Sequence, residues 1–371
     1  MSDLATHAKL ARSHAQLPVS VYFDEALLQR EMQQLFLEGP RYVGHELMVP
    51  DKGDFATLKS ENEGRMLVRN AQGIELLSNV CRHRQALMFN GRGNAKNIVC
   101  PLHRWTYDLK GELIGAPHFA DTPCLNLSKT PLQHWNGLLF EQNGYDVMDK
   151  LKGMSVTKDL DFSGYMFDHV EVHECDYNWK TFIEVYLEDY HVEPFHPGLG
   201  NFVSCDDLQW EFGPDYSVQT VGVHRGLQKS GSATYKAWQE QILRLNNGQP
   251  PKYGAIWLTL YPNIMVEWYP NVLVVSTLWP MGPQKTRNVV EFYYPEEFVL
   301  FERGFVDAER AAYMETCVED DEIALRMDAG RKILMERGVT EAGPYQSPME
   351  DGMQHFHEWY RGRLSDIPPG M

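Results

Sequence analysis

The stretch CRHRQALMFNGRGNAKNIVCPLHRW, residues 81–105, decides how the rest of the chain is read. It contains two Cys–His pairs, Cys81 with His83 and Cys100 with His103. Each pair falls where strand-like runs are joined by a tight turn. Two such loops facing each other present two thiolates and two imidazoles to a common point. Zinc also accepts a Cys2His2 set, but zinc fingers usually pair two Cys in one loop and two His in the next segment. Here each loop mixes one Cys with one His. That donor set suits a [2Fe–2S] centre with both thiolates on one iron and both imidazoles on the other, an arrangement that raises the reduction potential above that of all-Cys clusters. Pro101 stiffens the second loop. Trp105 and Tyr107 either cover the centre, with Tyr107 donating to a sulfur, or simply fill the core.

Working outward, the 371 residues provide one large or two ordinary domains. Acidic residues outnumber basic ones, 51 to 34, for a net charge of −17. Such a polyanion is a poor match for nucleic acid or an anionic membrane surface. Six Cys make no disulfide framework, and no run approaches the length of a membrane span. MSDLATHAKLARSHAQLP has no long apolar stretch, so no leader is expected and the expected compartment is the cytoplasm.

DEALLQREMQQLFL, 24–37, has helical periodicity with Asp24 at its start. From about 40 the texture changes to short β-prone runs (MLVRN, IELLSNV, NIVCPL, WTYDLKG, GLLFEQNG) separated by Gly, Asn and Asp. This predicts a small all-β domain over 40–146, after an N-terminal helical segment 1–39 that packs on the domain formed by 147–371. In that last domain, 147–166 reads as a connection and 177–193 as a helix stopped by Pro194. The runs AIWLTLYP, NIMVEWYP, VLVVSTLWP and NVVEFYYP read as long strands. Helices are expected over 296–334 and 352–364. A polar insertion at 226–253, with a short helix ATYKAWQEQILRL, reads as a lid. The fold class is α+β, a small β domain inserted early into a larger domain.

A second constellation lies in NWKTFIEVYLEDYHVEPFHPGL, 178–199. On one continuous helix Glu184, Glu188 and His191 share a face, and His196 follows from the turn beyond. Two His at a helix end with one distant carboxylate make a facial triad that leaves positions open on Fe(II). The plain alternative is an amphipathic helix with surface acids and two incidental His.

Together the two constellations resemble the α subunits of Rieske non-haem iron oxygenases, the aromatic ring-hydroxylating dioxygenase family. VCRHRQALM and CPLHRWTYDLKGEL resemble the two Rieske loops. Glu188, His191 and His196 match that family's spacing of an acid, two residues, His, four residues, His. The N-terminal helix, NWK entry, WPMGP strand end and FHEW helix fall in the expected order, so the likeness covers essentially the whole chain. It implies a Rieske domain inserted in a helix-grip (START-like) catalytic domain with an antiparallel sheet, and a ring-shaped homotrimer, trimer or hexamer being left open. It implies a [2Fe–2S] cluster on Cys81, His83, Cys100 and His103, and a mononuclear Fe(II) on His191, His196 and an Asp of a late helix. In CVEDDEIALRMDAG the family pattern favours Asp320, with Asp321 as the alternative; Asp328 stands where relatives have Gln. Leu102 and Arg104 stand where relatives often carry an aromatic residue and Gly. Glu188 occupies the position that links the Rieske His of one subunit to an iron-ligand His of the next, and a Glu there resembles the carnitine/betaine monooxygenase branch.

The implied activity is mono- or dioxygenation, hydroxylating or demethylating the substrate with O2 and electrons from an NAD(P)H-dependent flavin/iron–sulfur reductase or ferredoxin. The implied substrate is a small organic molecule, with a quaternary ammonium compound suggested by Glu188. A cation of that kind asks for an aromatic cage, and Phe202, Trp210, Trp257, Trp268 and Tyr269 are the candidates. Aromatic acids and steroid-like hydrocarbons are alternatives within the family. Two other classes remain, a Rieske electron carrier without oxygenase activity and a zinc-stabilised lipid-binding module.

Overall fold

The computed structural model describes residues 16–339 and 342–364. The chain divides into two compact units, Pro40–Asp149 and the residues on either side of it. Of the expected N-terminal helical segment, residues 1–15 lie outside the described residues.

The small unit is mainly β, with short 3-10 turns at Glu46–Met48 and Lys59–Glu61. Its strands are β1 (Tyr42–His45), β2 (Asp54–Thr57), β3 (Arg65–Arg69), β4 (Ile74–Ser78), β5 (Arg92–Asn94), β6 (Ile98–Val99), β7 (Thr106–Tyr107), β8 (Leu113–Gly115), β9 (Lys129–Thr130), β10 (Leu132–Trp135) and β11 (Leu138–Glu141). They form three antiparallel sheets, β1-β11-β10, β5-β2-β3-β4-β9 and β6-β7-β8. Met66, Val68, Leu77, Ile98, Trp105 and Tyr107 make its core, and Cys81 and Cys100 belong to the same cluster.

The large unit is built on a seven-stranded antiparallel sheet. Its strands are β12 (Tyr165–Cys175), β13 (Val203–Phe212), β14 (Tyr216–Val223), β15 (Ala255–Leu260), β16 (Ile264–Tyr269), β17 (Val272–Gly282) and β18 (Lys285–Pro295), in the order β12-β18-β17-β16-β15-β14-β13. Its described helices include α1 (Glu25–Glu31), α2 (Trp179–Tyr186), α3 (Val192–Phe195), α4 (Ala233–Leu245), α5 (Arg303–Glu336) and α6 (Asp351–Arg363). The 34-residue α5 is about 50 Å long at 1.5 Å per residue. The apolar core gathers side chains of one sheet face, such as Met265, Val274, Phe292 and Tyr294, with Trp179, Ile183, Phe305 and Ala312 from the helices.

The expected helix over 24–37 starts at Asp24, whose carboxylate accepts from Ala26 N and Leu27 N. It continues past Glu31 as a π-helical segment, Met32–Leu37. The NWK entry has a structural logic. Asn178 caps α2, while the indole of Trp179 and the fully buried ammonium of Lys180 both donate to Glu31, at 2.8 and 2.7 Å.

The continuous helix expected over 177–193 is corrected. α2 ends at Tyr186, and Leu187 leaves helical geometry at φ −101, ψ 22. The cause is a tertiary tie. Leu187 O accepts from Met353 N, and Asp189 N donates to Met349 O, both at 3.0 Å. Pro194 does not stop a helix but sits inside α3, near its start, where a missing N–H leaves no acceptor unsatisfied. Glu184, Glu188 and His191 therefore do not share a helical face.

Candidate active site

The two Cys–His loops of the small unit are near copies of each other. Cys81 N donates to Ala86 O and Gln85 N to Cys81 O, at 2.9 and 3.1 Å. Cys100 N donates to Trp105 O and Arg104 N to Cys100 O, at 2.8 and 3.1 Å. The fourth residue after each Cys is left-handed, Gln85 at φ 56 and Arg104 at φ 60. That geometry favours glycine, which gives Arg104 a conformational reading. Both thiols are free and buried, whereas His103 is exposed. The two imidazoles lie 4.7 Å apart at 72°. Trp105 stacks on His83 at 4.9 Å, and the Tyr107 hydroxyl is 3.6 Å from Cys81 Sγ. Nδ1 of His83 is buried with no protein hydrogen-bond partner. Two buried thiols, two converging imidazoles and an unpartnered ring nitrogen fit an iron–sulfur cluster by donor chemistry.

The large unit brings together His191, at the start of α3, His196, just past its end, and Asp320, on α5. Their ligand atoms lie within 4.8 Å of one another. Asp320 Oδ1 is 3.0 Å from His196 Nε2 and 3.5 Å from His191 Nε2. No hydrogen bond of good geometry satisfies the buried His196 Nε2. Both rings are held from behind. Glu188 meets Nδ1 of His191 at 2.5 Å, and Glu319 meets Nδ1 of His196 at 2.7 Å. Carboxylates on Nδ1 turn both Nε2 atoms toward the same space, the arrangement seen behind metal-ligating histidines. Burial alone would make the His191 ring less basic, but Asp320 and Glu188 outweigh it and raise it to about 10. His196 is raised in the same way by Asp320 and Glu319. This set fits one divalent cation with open positions.

Asp321 points elsewhere and accepts from the Tyr177 hydroxyl at 2.6 Å. Asp328 is buried, accepting from Asn178 N and the Thr181 hydroxyl. Glu184 is fully buried among Tyr22, Arg331 and His357, away from the triad.

A cavity reaches Asp320. One face of α5 lines it with Glu309, Tyr313, Thr316, Cys317 and Asp320, in helical register. Glu267 and Tyr269 of β16 face them, and Phe182 and Tyr186 of α2 complete that side. Tyr235 and Trp238 of α4 are buried walls of the cavity, so the insertion read as a lid contributes a packed helix. Of the five aromatics expected to form a cage, Tyr269 lines the cavity and Trp257 donates to its hydroxyl at 2.8 Å. Phe202 stacks on Trp238, Trp210 on Phe212, and Trp268 meets Tyr253 edge-on. Sequence reasoning missed Glu319, Glu267 and Glu309.

Residues 40–126 match the Rieske [2Fe–2S] domain, and residues 162–366 match the catalytic domain of the ring-hydroxylating alpha subunit. The chain belongs to the Rieske non-haem iron oxygenases: it is an oxidoreductase carrying a [2Fe–2S] cluster and a mononuclear iron, and it hydroxylates a small organic substrate. It is 74% identical to putrescine 2-hydroxylase of Ralstonia nicotianae over 97% of this chain and 99% of that one. It is 59% identical to putrescine 2-hydroxylase of Bordetella bronchiseptica, over 97% of this chain and 87% of that one. Its fold is similar to that of a quaternary ammonium Rieske monooxygenase solved with an inhibitor, with a TM-score of 0.76 at 20% identity over 95% and 97% of the two chains. The presence of the catalytic domain sets aside the electron carrier and the zinc-stabilised module. No helix among the described residues is long and apolar enough to cross a membrane.

Proposed function

We propose that the enzyme hydroxylates a carbon of a small aliphatic amine, and that its substrate is putrescine, the compound named for the Ralstonia and Bordetella relatives. The observation that carries this reading is the cavity reaching Asp320, walled by aromatic rings and buried carboxylates. A cation suits such walls, whereas an aromatic acid or a steroid-like hydrocarbon does not.

In this reading Cys81, Cys100, His83 and His103 hold the cluster, and His191, His196 and Asp320 hold the mononuclear iron, which supplies O2 activation and C–H oxidation when bound. Glu188 and Glu319 fix the two rings by accepting from their Nδ1 atoms. The rings and apolar walls keep water from the substrate carbon. The chain works as a homotrimer in the cytoplasm, in which Glu188 meets His103 of the partner subunit and carries the electron path to His191. An NAD(P)H-dependent reductase or ferredoxin delivers electrons to the cluster.

The test is oxygen uptake by the purified oxygenase with a reductase, on putrescine and on carnitine or glycine betaine. Putrescine should yield a stable alcohol heavier by one oxygen atom, without formaldehyde. Turnover confined to the quaternary amines, with formaldehyde released, would replace this reading by N-demethylation.

A further inference from the structure

We propose that Glu267 and Glu309 are two anionic subsites of the cavity, each taking one ammonium group of an aliphatic diamine, with Glu267 holding the end nearer Asp320. The assignment rests on the amine reading above and names the groups that enforce it. Both carboxylates are buried, line the same cavity and come from different elements, β16 and α5. Their partners are phenols. Tyr269 and Tyr313 donate to Glu267 at 2.8 and 3.1 Å, and Tyr294 donates to Glu309. Among the described residues no Lys, Arg or His forms an ion pair with either one. The cations of α5 on that side are engaged elsewhere, Arg303 with Asp168 at 2.6 Å and Arg310 with Glu171. Burying a carboxylate without a counter-charge costs several kcal/mol. This cavity keeps two. A ligand with two positive charges offsets both burials, a monocation only one, and a neutral ring neither.

The layout selects the ligand's length. Asp320, Tyr313 and Glu309 succeed one another along one face of α5, and Tyr313 reaches Glu267. Glu309 and Tyr313, whose phenol reaches Glu267, stand about one helical turn apart on α5, a rise of about 6 Å. Tyr235 and Trp238 flank the cavity and suit the methylenes between them. A diamine held this way presents the carbons beside its near ammonium toward Asp320.

The test compares the holoenzyme with its Glu309→Gln and Glu267→Gln variants. It measures kcat/KM for putrescine and for 1-aminobutane, and melting temperature with and without each amine. The ratio of diamine to monoamine kcat/KM should fall at least about 30-fold in Glu309→Gln, the scale of a lost buried ammonium–carboxylate contact. Glu267→Gln should lose both amines. Without amine, each variant should melt no lower than wild type, because Gln removes a buried charge at equal volume, and the rise in melting temperature that putrescine gives wild type should vanish. A ratio within threefold of wild type in Glu309→Gln overturns the assignment. A wild-type enzyme that neither binds nor oxidises putrescine overturns the amine reading and this assignment with it, whereas wild-type preference for putrescine with unaffected variants overturns this assignment alone. Should a variant melt below wild type, the wild-type stabilisation by diamines of three to six carbons decides instead. An optimum at four supports the two-point site, and equal stabilisation by all overturns it.

Discussion

The large unit buries carboxylates in two ways, and the contrast separates what holds the fold from what awaits a ligand. Near α1, α2 and α6, Glu31 is paired with Lys180 at 2.7 Å, and Glu184 with Arg331 at 2.5 Å and His357 at 2.8 Å. In the cavity, Glu267 and Glu309 have only phenols as side-chain partners among the described residues. Titration follows the partner. Burial would push the Glu184 carboxyl up, but Arg331 and His357 hold it down to about 2. Burial pushes Glu267 up to about 7 and Glu309 up to about 8, and their phenols do not reverse it. Charge compensated by the chain is structural, and charge left to a ligand is a binding site.

The largest expected effect is at the paired site. Lys180→Met leaves Glu31 buried against Trp179, Tyr360 and no cation, and should cost about 3–5 kcal/mol. Denaturant titration measures it, and a loss under about 1 kcal/mol would break the contrast. Glu267→Gln in the same assay should be neutral or stabilising.

The pH dependence sharpens the same comparison, because the two kinds of site have opposite signs. Glu184, depressed in the fold, contributes stability that is present above about pH 4.5 and is lost as pH falls toward 2. Glu267 and Glu309, raised in the fold, keep their protons while the unfolded chain releases its own. In the amine-free enzyme they therefore lower stability as pH rises from about 4.5 through 7 and 8. The stability gain of a Glu267→Gln/Glu309→Gln double variant over wild type should grow between pH 5 and 8. Putrescine affinity, read by calorimetry, should weaken as pH falls through about 8 and 7. A pH-independent gain contradicts the assignment of those two shifts.

The smallest effect concerns the small unit. Arg104 holds φ 60 at the place where Gln85 holds φ 56 in the companion loop. Arg104→Gly should relieve this strain and raise stability by at most about 1 kcal/mol, with the cluster's visible spectrum unchanged.

What was legible in the sequence was local. Cys81, His83, Cys100 and His103 announce themselves by spacing within two turns, and His191 and His196 by spacing around one break in the chain. Asp320 needed the family pattern, because several acids crowd that part of α5 and only tertiary packing turns one toward the imidazoles. The break at Leu187 was hidden because its cause is a hydrogen bond to Met353 N, far along the chain. Glu267 and Glu309 left a fainter signal. Each is an acid within an apolar stripe, between Met265 and Tyr269 on one strand face, and between Phe305 and Tyr313 on one helix face. Such an acid reads as surface until the facing element is known. The aromatic walls Tyr235 and Trp238 were masked by the polar composition of the insertion that carries them.

The most direct test of the account counts iron and acid-labile sulfide per chain in wild type and in the His191→Ala variant. Wild type should hold three irons, two in the cluster and one mononuclear, with two sulfides. His191→Ala should fall to two irons and two sulfides, red-brown but unable to oxidise substrate. Three irons and full turnover in His191→Ala would contradict the assignment of the mononuclear site.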